Sequence, residues 1–251
     1  MIDRLAASRV FLALVILVAA LAGAAGYAAV DHLAGDGASA DPSRGQVEAI
    51  VHDYVLAHPE IIPEAMDRLR DNEAVKAVAA NRQQIVTPFA AAWAGNPKGD
   101  VTVTEFYDYN CGYCRMALPA LQKLIGTDGN VRVVYRELPI LSPESAEAAK
   151  WSLAAAEQGK FGRFHDALYA AGRVSPQSIE AAAAAAGLDR ARAASAVQSA
   201  RIASEIDNNL TLAGKLNVSG TPAWVIGDRT YSGALSYEAL VDAVKEARAG
   251  A

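Results

Sequence analysis

"FYDYNCGYCRMALP", Phe106 to Pro119, carries Cys111 and Cys114, the two cysteines of a 251-residue chain. They stand three positions apart, around Gly112 and Tyr113. The residues leading into them, "VTVTEFYDY" (Val101 to Tyr109), are β-branched and aromatic and read as a buried strand. Asn110 then offers a helix N-cap. Cys111 onward reads as a helix with Met116, Leu118, Leu121, Leu124 and Ile125 on its apolar side. A C-x-x-C pair at a strand-to-helix turn is a chemical device. The helix N-terminus presents unpaired N–H groups and a partial positive charge, which favour thiolate over thiol at the first cysteine. Cys111 is thus the expected nucleophile, and Cys114, one turn later, the resolving thiol that attacks the mixed disulfide.

A bridge stabilises more when it closes a longer loop, and two residues between cysteines staple almost nothing. The pair reads as chemical rather than structural. Zinc needs about four ligands. The four histidines, His32, His52, His58 and His165, do not stand at ligand spacing from the cysteines or from one another. Two soft thiolates can hold Cu(I) without further ligands, so a copper-binding protein is an alternative of another class.

Past the cysteine helix, residues 126–130 form a stop, and "VRVVYRELPIL" (Val131 to Leu141) reads as the next strand. Strand, helix, strand suggests a βαβ unit. From about 142 to 214 the pattern is helical, with Ser175-Pro176 as a cap and first-turn proline, Gly187 closing an alanine run and Asp189 capping the next segment. "AWVIG" and "DRTYSG" are two short strands after Pro222, and a terminal helix starts at Ser236. The order is βαβ, a helical insertion, then ββα.

Before the cysteines, residues 87–100 hold a turn signal, "GNPKGD", and a short β-like stretch is expected over 85–93. Residues 45–86 form an N-terminal helical segment. Val47, Ile50, Val51, Tyr54 and Val55 share one face of its first helix, which His58-Pro59 should end. A mostly polar second helix, from near Pro63, gives that face little to pack on. The face is therefore a candidate oligomerisation element, with folding back onto the following domain as the alternative. Residues 31–44 read as a linker. Residues 1–30 read as a signal peptide or signal anchor, with Arg4 and Arg9 before an apolar run over 10–30 and acidic residues after it. Either reading places the rest outside the cytoplasm, in a compartment that permits disulfides. A hydrophobic content of 52% is enough for a sizeable core, and a formal charge of −5 without Lys/Arg runs excludes a nucleic-acid footprint.

The stretch around the cysteines, together with "GTP" at Gly220 to Pro222, resembles the thioredoxin superfamily in its DsbA-like branch of exported thiol-disulfide oxidoreductases. Within that branch it resembles the ScsC and Com1-type proteins. The resemblance covers about 87–251, with a looser match from 47. It implies an α/β thioredoxin fold with an inserted all-helical domain at about 142–214, preceded by N-terminal helices. It implies a redox-active Cys111-Cys114 disulfide and no separate cofactor. It also implies a cis Thr221-Pro222 bond facing the cysteines, which leaves neighbouring backbone groups free to pair with an extended substrate.

Glu105 matches the buried acid beneath the cysteines in that branch. Its period-2 partners Val101 and Val103 put it on one strand face with them, and a buried carboxylate would have a raised pKa and could exchange a proton with Cys114. Pro119 matches the kink of the active-site helix. Trp224 and Tyr231 are read as packing residues, with a place lining the substrate groove as the alternative, and His165, Tyr107 and Tyr109 are read as packing residues. Gly112-Tyr113 would tune the redox poise. The pair differs from the Pro-His of the strongly oxidising DsbA and equals the dipeptide of the isomerase DsbC. The expected function is a periplasmic disulfide isomerase or reductase acting on unfolded or misoxidised exported proteins, reset by a membrane redox partner and oligomeric through 45–86. A disulfide oxidase is the alternative within the family.

Overall fold

The computed structural model describes residues 15–30 and 43–250. The chain divides into two compact units, residues 1–65 and 66–251. The first holds helix α1 (residues 15–30) and helix α2 (Arg44–Ala57). α2 opens on a reciprocal capping box, with Ser43 Oγ accepting from the Gln46 N–H and Gln46 Oε1 accepting from the Ser43 N–H. It stops at His58, as Pro59 requires. α2 buries no residue, and Val47, Ile50, Val51 and Tyr54 are all exposed. Among the described residues no helix is long and apolar enough to cross a membrane. The anchor reading of 10–30 therefore has no support from 15–30. Residues 1–14 and most of the 31–44 linker lie outside the described residues.

Helix α3 (Ile61–Val86) leads into the second unit. That unit is built on a five-stranded sheet in the order β1 (Trp93–Gly95), β3 (Val131–Glu137), β2 (Val101–Tyr107), β4 (Ala223–Ile226), β5 (Arg229–Ser232). β2 and β3 run parallel because helix α4 (Gly112–Thr127) crosses between them, and every other pairing is antiparallel. Between β3 and β4 the chain inserts α5 (Pro143–Glu157), α6 (Phe161–Ala170), α7 (Pro176–Ala185), α8 (Arg190–Val197) and α9 (Ala200–Lys215). α10 (Tyr237–Ala249), capped by Ser236, closes the unit. This is the α/β thioredoxin fold with a helical insertion that the sequence implies.

The two faces of β2 divide the core. Val101, Val103 and Tyr107 belong to a large cluster with Cys111, Cys114, Leu121, Leu124 and the buried residues of the insertion. Phe106 points the other way, into a smaller cluster with Val78, Ile85, Leu138, Leu212 and Val225. The second unit thus takes the end of α3 into its core. The β-like stretch expected over 85–93 is helix as far as Val86, and Val78 and Ile85, seven residues apart, are buried on one helical face. The strand read through Leu141 ends at Glu137. Pro139 cannot donate to a ladder, and the N–H groups of Ile140 and Leu141 turn instead to the Asp108 carboxylate.

Candidate active site

The turn from β2 to α4 places the cysteines. Cys111, not Asn110, is the N-cap of α4, its sulfur accepting from the Cys114 N–H at 3.3 Å. The Cys111 thiol also donates to the Thr221 carbonyl at 3.2 Å. The cysteine fills the role that a capping hydroxyl or amide has elsewhere, which frees Asn110 for other partners. Asn110 Nδ2 donates to Ser142 Oγ (2.8 Å) and Ser145 Oγ (3.2 Å), and its Oδ1 accepts from the Val174 N–H (3.3 Å). Both cysteines are free thiols and both are buried, Cys111 at 5% and Cys114 at 1% exposure. The 5% leaves Cys111 as the sulfur that an incoming group meets first.

Thr221-Pro222 is a cis peptide bond, and it brings the Thr221 carbonyl to Cys111. The Thr221 hydroxyl is buried without a partner. Of the intervening pair, Gly112 is exposed, with nothing close to where a Cβ would stand, and the Tyr113 ring is 65% exposed. Met116 is 70% exposed, so the buried side of α4 is Cys114, Ala117, Leu121 and Leu124. Pro119 lies inside α4. Trp224 is fully buried with its indole N–H donating to the Gly233 carbonyl at 2.9 Å, so it is no groove wall, and Tyr231 is half-buried.

Glu105 is buried, between Tyr135 and Trp224 on its neighbouring strands. Loss of solvation, and then the Cys111 charge, push its carboxyl from the ordinary 4.5 up to about 8. Cys114 is pushed far above the usual thiol range, first by burial and then by the Glu105 charge, against a hydrogen bond with the Asp108 backbone that favours its thiolate. A carboxyl that titrates near neutrality thus sits within electrostatic reach of the thiol that must lose a proton. That is the arrangement a proton exchange requires.

Several buried groups nearby carry no signal in the sequence. Glu137, at the end of β3, accepts a hydrogen bond from the Tyr107 hydroxyl, and burial holds it protonated, well above the carboxylate range. The Tyr109 hydroxyl meets Ser152 Oγ at 2.9 Å and His165 Nδ1 at 3.1 Å. Burial pushes His165 down to about 3, so it is neutral and packed among aromatic rings. Arg136 is also buried, and it binds Glu205 Oε1 (2.8 Å), Asn209 Oδ1 (3.0 Å) and the backbone carbonyls of Gln84 and Thr87. Among the described residues no group of three or more His, Cys, Asp or Glu side chains could hold a metal ion.

The DSBA-like thioredoxin domain matches residues 102–245, and the copper resistance protein ScsC N-terminal domain matches residues 44–75. A thioredoxin-like oxidoreductase from Silicibacter pomeroyi DSS-3 is 41% identical, with a TM-score of 0.65 over 68% of this chain and 99% of that one. A linker-deletion variant of Proteus mirabilis ScsC that also carries a point substitution is 29% identical, with a TM-score of 0.70 over 85% of this chain and 100% of its own. The thiol-disulfide exchange protein alpha-DsbA2 from Wolbachia pipientis is 30% identical, with a TM-score of 0.66 over 71% and 97% of the two chains. A curated relative, Na(+)/H(+) antiporter NhaA 1 of Salinispora arenicola (strain CNS-205), is 35% identical over 62% of this chain and 24% of that protein. The chain therefore spans about a quarter of the length of the curated relatives it matches.

Proposed function

The chain belongs to the family of DsbA-like thioredoxin domains; we propose that it is a thiol-disulfide oxidoreductase that works in the periplasm as an isomerase or reductase of disulfides in exported proteins. The observation that carries the direction is the surroundings of the Cys111 sulfur. It receives one backbone N–H, at 3.3 Å, donates to the Thr221 carbonyl and lies within electrostatic reach of the Glu105 carboxyl. Among the described residues no cationic side chain bonds to it, and Tyr113 points out into solvent. A strongly oxidising pair needs its reduced form stabilised well beyond that, so this pair is the more reducing kind. The export reading of 1–30 and the redox chemistry of the pair together support the compartment.

In the reaction, the Cys111 thiolate attacks one sulfur of a client disulfide, forming a mixed disulfide and releasing the other client sulfur as thiolate. In isomerisation a different client thiolate attacks the client sulfur of the mixed disulfide, so that a new client disulfide forms and the Cys111 thiolate leaves unchanged. In reduction, Cys114 gives its proton to Glu105 and attacks Cys111. The internal disulfide forms, two electrons pass to the client, and a client thiolate departs. A membrane partner then returns two electrons to the pair. The open apolar face of α2 suits association with further copies of the chain, which would set several Cys111 sites around one client.

The test is the reduction potential of the Cys111-Cys114 pair, measured by equilibrating the protein with glutathione buffers and counting free thiols. We expect a value well below the roughly −120 mV of the strongest oxidant in the superfamily, toward the thioredoxin end near about −270 mV. A value of about −120 mV makes the protein a donor of disulfides. Failure to cycle would favour copper binding by the thiolate pair.

A further inference from the structure

Asp108 is buried at the end of β2 and has no part in the exchange of sulfur bonds. Its carbonyl accepts from the Cys111 N–H at 3.0 Å and from the Tyr169 hydroxyl at 3.2 Å, and its backbone also bonds Cys114. Its carboxylate accepts from three N–H groups: Asn110 (2.8 Å) at Oδ1, Ile140 (2.9 Å) and Leu141 (3.0 Å) at Oδ2. Asn110 continues the tie to Ser142, Ser145 and Val174, and the Arg115 guanidinium donates to the Gly172 carbonyl. The turn that presents Cys111 is thereby fastened to the strip that follows β3 and to the start of the insertion.

That strip is apolar and open. Ile140 is 44% exposed and Leu141 53%, although their backbone N–H groups are held by a buried carboxylate. A single exposed apolar side chain is ordinary. Two in succession are different here, because charge-assisted hydrogen bonds run from their N–H groups to the residue that also holds the nucleophile's N–H. The strip's bonds end on the Asp108 side chain and the Cys111 N–H on its backbone carbonyl, so this one residue sets the place of the strip relative to the Cys111 turn. We infer that Asp108 is a positioning residue: it locks the Ile140-Leu141 strip to the Cys111 turn, so that a polypeptide resting apolar side chains on the strip presents its disulfide to Cys111. The role is independent of the direction of exchange, and holds for an oxidase as for an isomerase.

The experiment compares two oxidised substrates in the full-length protein: a disulfide-bonded peptide with apolar residues flanking its cysteines, and glutathione disulfide, which has no apolar side chain to rest on the strip. Asp108→Asn keeps the shape but sets an NH2 against either the Asn110 N–H or the strip. It should lower kcat/KM for the peptide about tenfold, in line with losing hydrogen bonds to a charged group, and leave glutathione disulfide within about twofold. A loss of general integrity would lower both alike, and that result, or an unchanged peptide rate, overturns the assignment. Ile140→Ser with Leu141→Ser alters exposed side chains only and should give the same split. Combined with Asp108→Asn it should add little, since both changes cut one connection, whereas additive losses would refute the coupling. Should Asp108→Asn fail to fold, the serine pair alone decides: a peptide rate equal to that of the parent protein overturns the inference.

Discussion

Replacing Glu105 with Gln isolates one buried proton. The carboxyl is 3% exposed, and it titrates at about 8 in the folded dithiol protein against an ordinary 4.5. Between those two values the folded state holds a proton that the unfolded state has released. Unfolding then gives up a proton, so stability falls as pH rises; the contribution is complete below 4.5 and gone above about 8. At about 1.4 kcal/mol for each tenfold, the gap amounts to roughly 5 kcal/mol. Glu105→Gln removes this dependence and keeps the volume. Urea unfolding of both reduced proteins, from about pH 4.5 to about pH 8.5, should show near-equal stability at the acid end. The variant should gain steadily, by several kcal/mol, toward the alkaline end. His165 also titrates out of its ordinary range but is common to both proteins and cancels in the difference, and Glu137 cancels but for the Glu105 charge, the smallest of the causes that raise it. Two parallel curves would refute the reasoning, because they would mean that the Glu105 carboxyl is as well solvated folded as unfolded.

Cys114→Ser should accumulate mixed disulfides between Cys111 and exported polypeptides, visible as species lost on reduction, because nothing inside the protein is left to resolve them. A Cys111→Ser partner variant should accumulate none, and equal trapping by both would exchange the roles of the two sulfurs. Ile50→Asp with Tyr54→Asp puts charge on the open face of α2. Sedimentation should then show a smaller assembly than the parent protein, and a parent that is already monomeric ends the oligomer proposal.

The β-branched and aromatic run of β2, the helical pattern after Cys111 and the capping residues Ser175, Asp189 and Ser236 are local signals, and the structure has a strand, a helix and three caps there. Glu105 is legible because period-2 alternation is itself a local rule. The same rule is silent on Arg136 and Glu137. They read as the polar end of a strand, yet both are buried, because their partners arrive from elsewhere: Glu205 and Asn209 from α9, Tyr107 from the adjacent strand. Nothing in the neighbouring sequence of either foretells the pairing. Asn110 misleads in the opposite way. Its cap propensity is real, but the cysteine beside it takes the cap, and a side chain with two donors and an acceptor does more for the structure by tying the turn to Ser142 and Val174. Met116 falls just off the buried side of its helix, which only the register of α4 against the sheet decides.

Burial also bears on how long the mixed disulfide survives. Cys114 is held strongly protonated by its apolar surroundings and by Glu105, and only its thiolate attacks. Until Glu105 has accepted that proton, the client remains bonded to Cys111 and its own thiols can rearrange. A low thiolate fraction at Cys114 therefore favours isomerisation over reduction. Glu105 titrates at about 8 beside the free Cys111, and burial, the larger of the two causes, persists when Cys111 is bonded to the client, so the carboxyl becomes a ready base only as pH climbs above the ordinary carboxylate range. The partition between the two outcomes should move accordingly. A single-turnover reaction of the reduced protein with a two-disulfide peptide should yield mostly rearranged peptide near about pH 6.5 and an increasing share of reduced peptide by about pH 8.5. In Glu105→Gln that share should follow only the general rise in client thiolate. A partition that is flat across this range in the parent protein would mean that the lifetime of the mixed disulfide is set elsewhere, by the fit of the client against Cys111 rather than by the proton on Cys114.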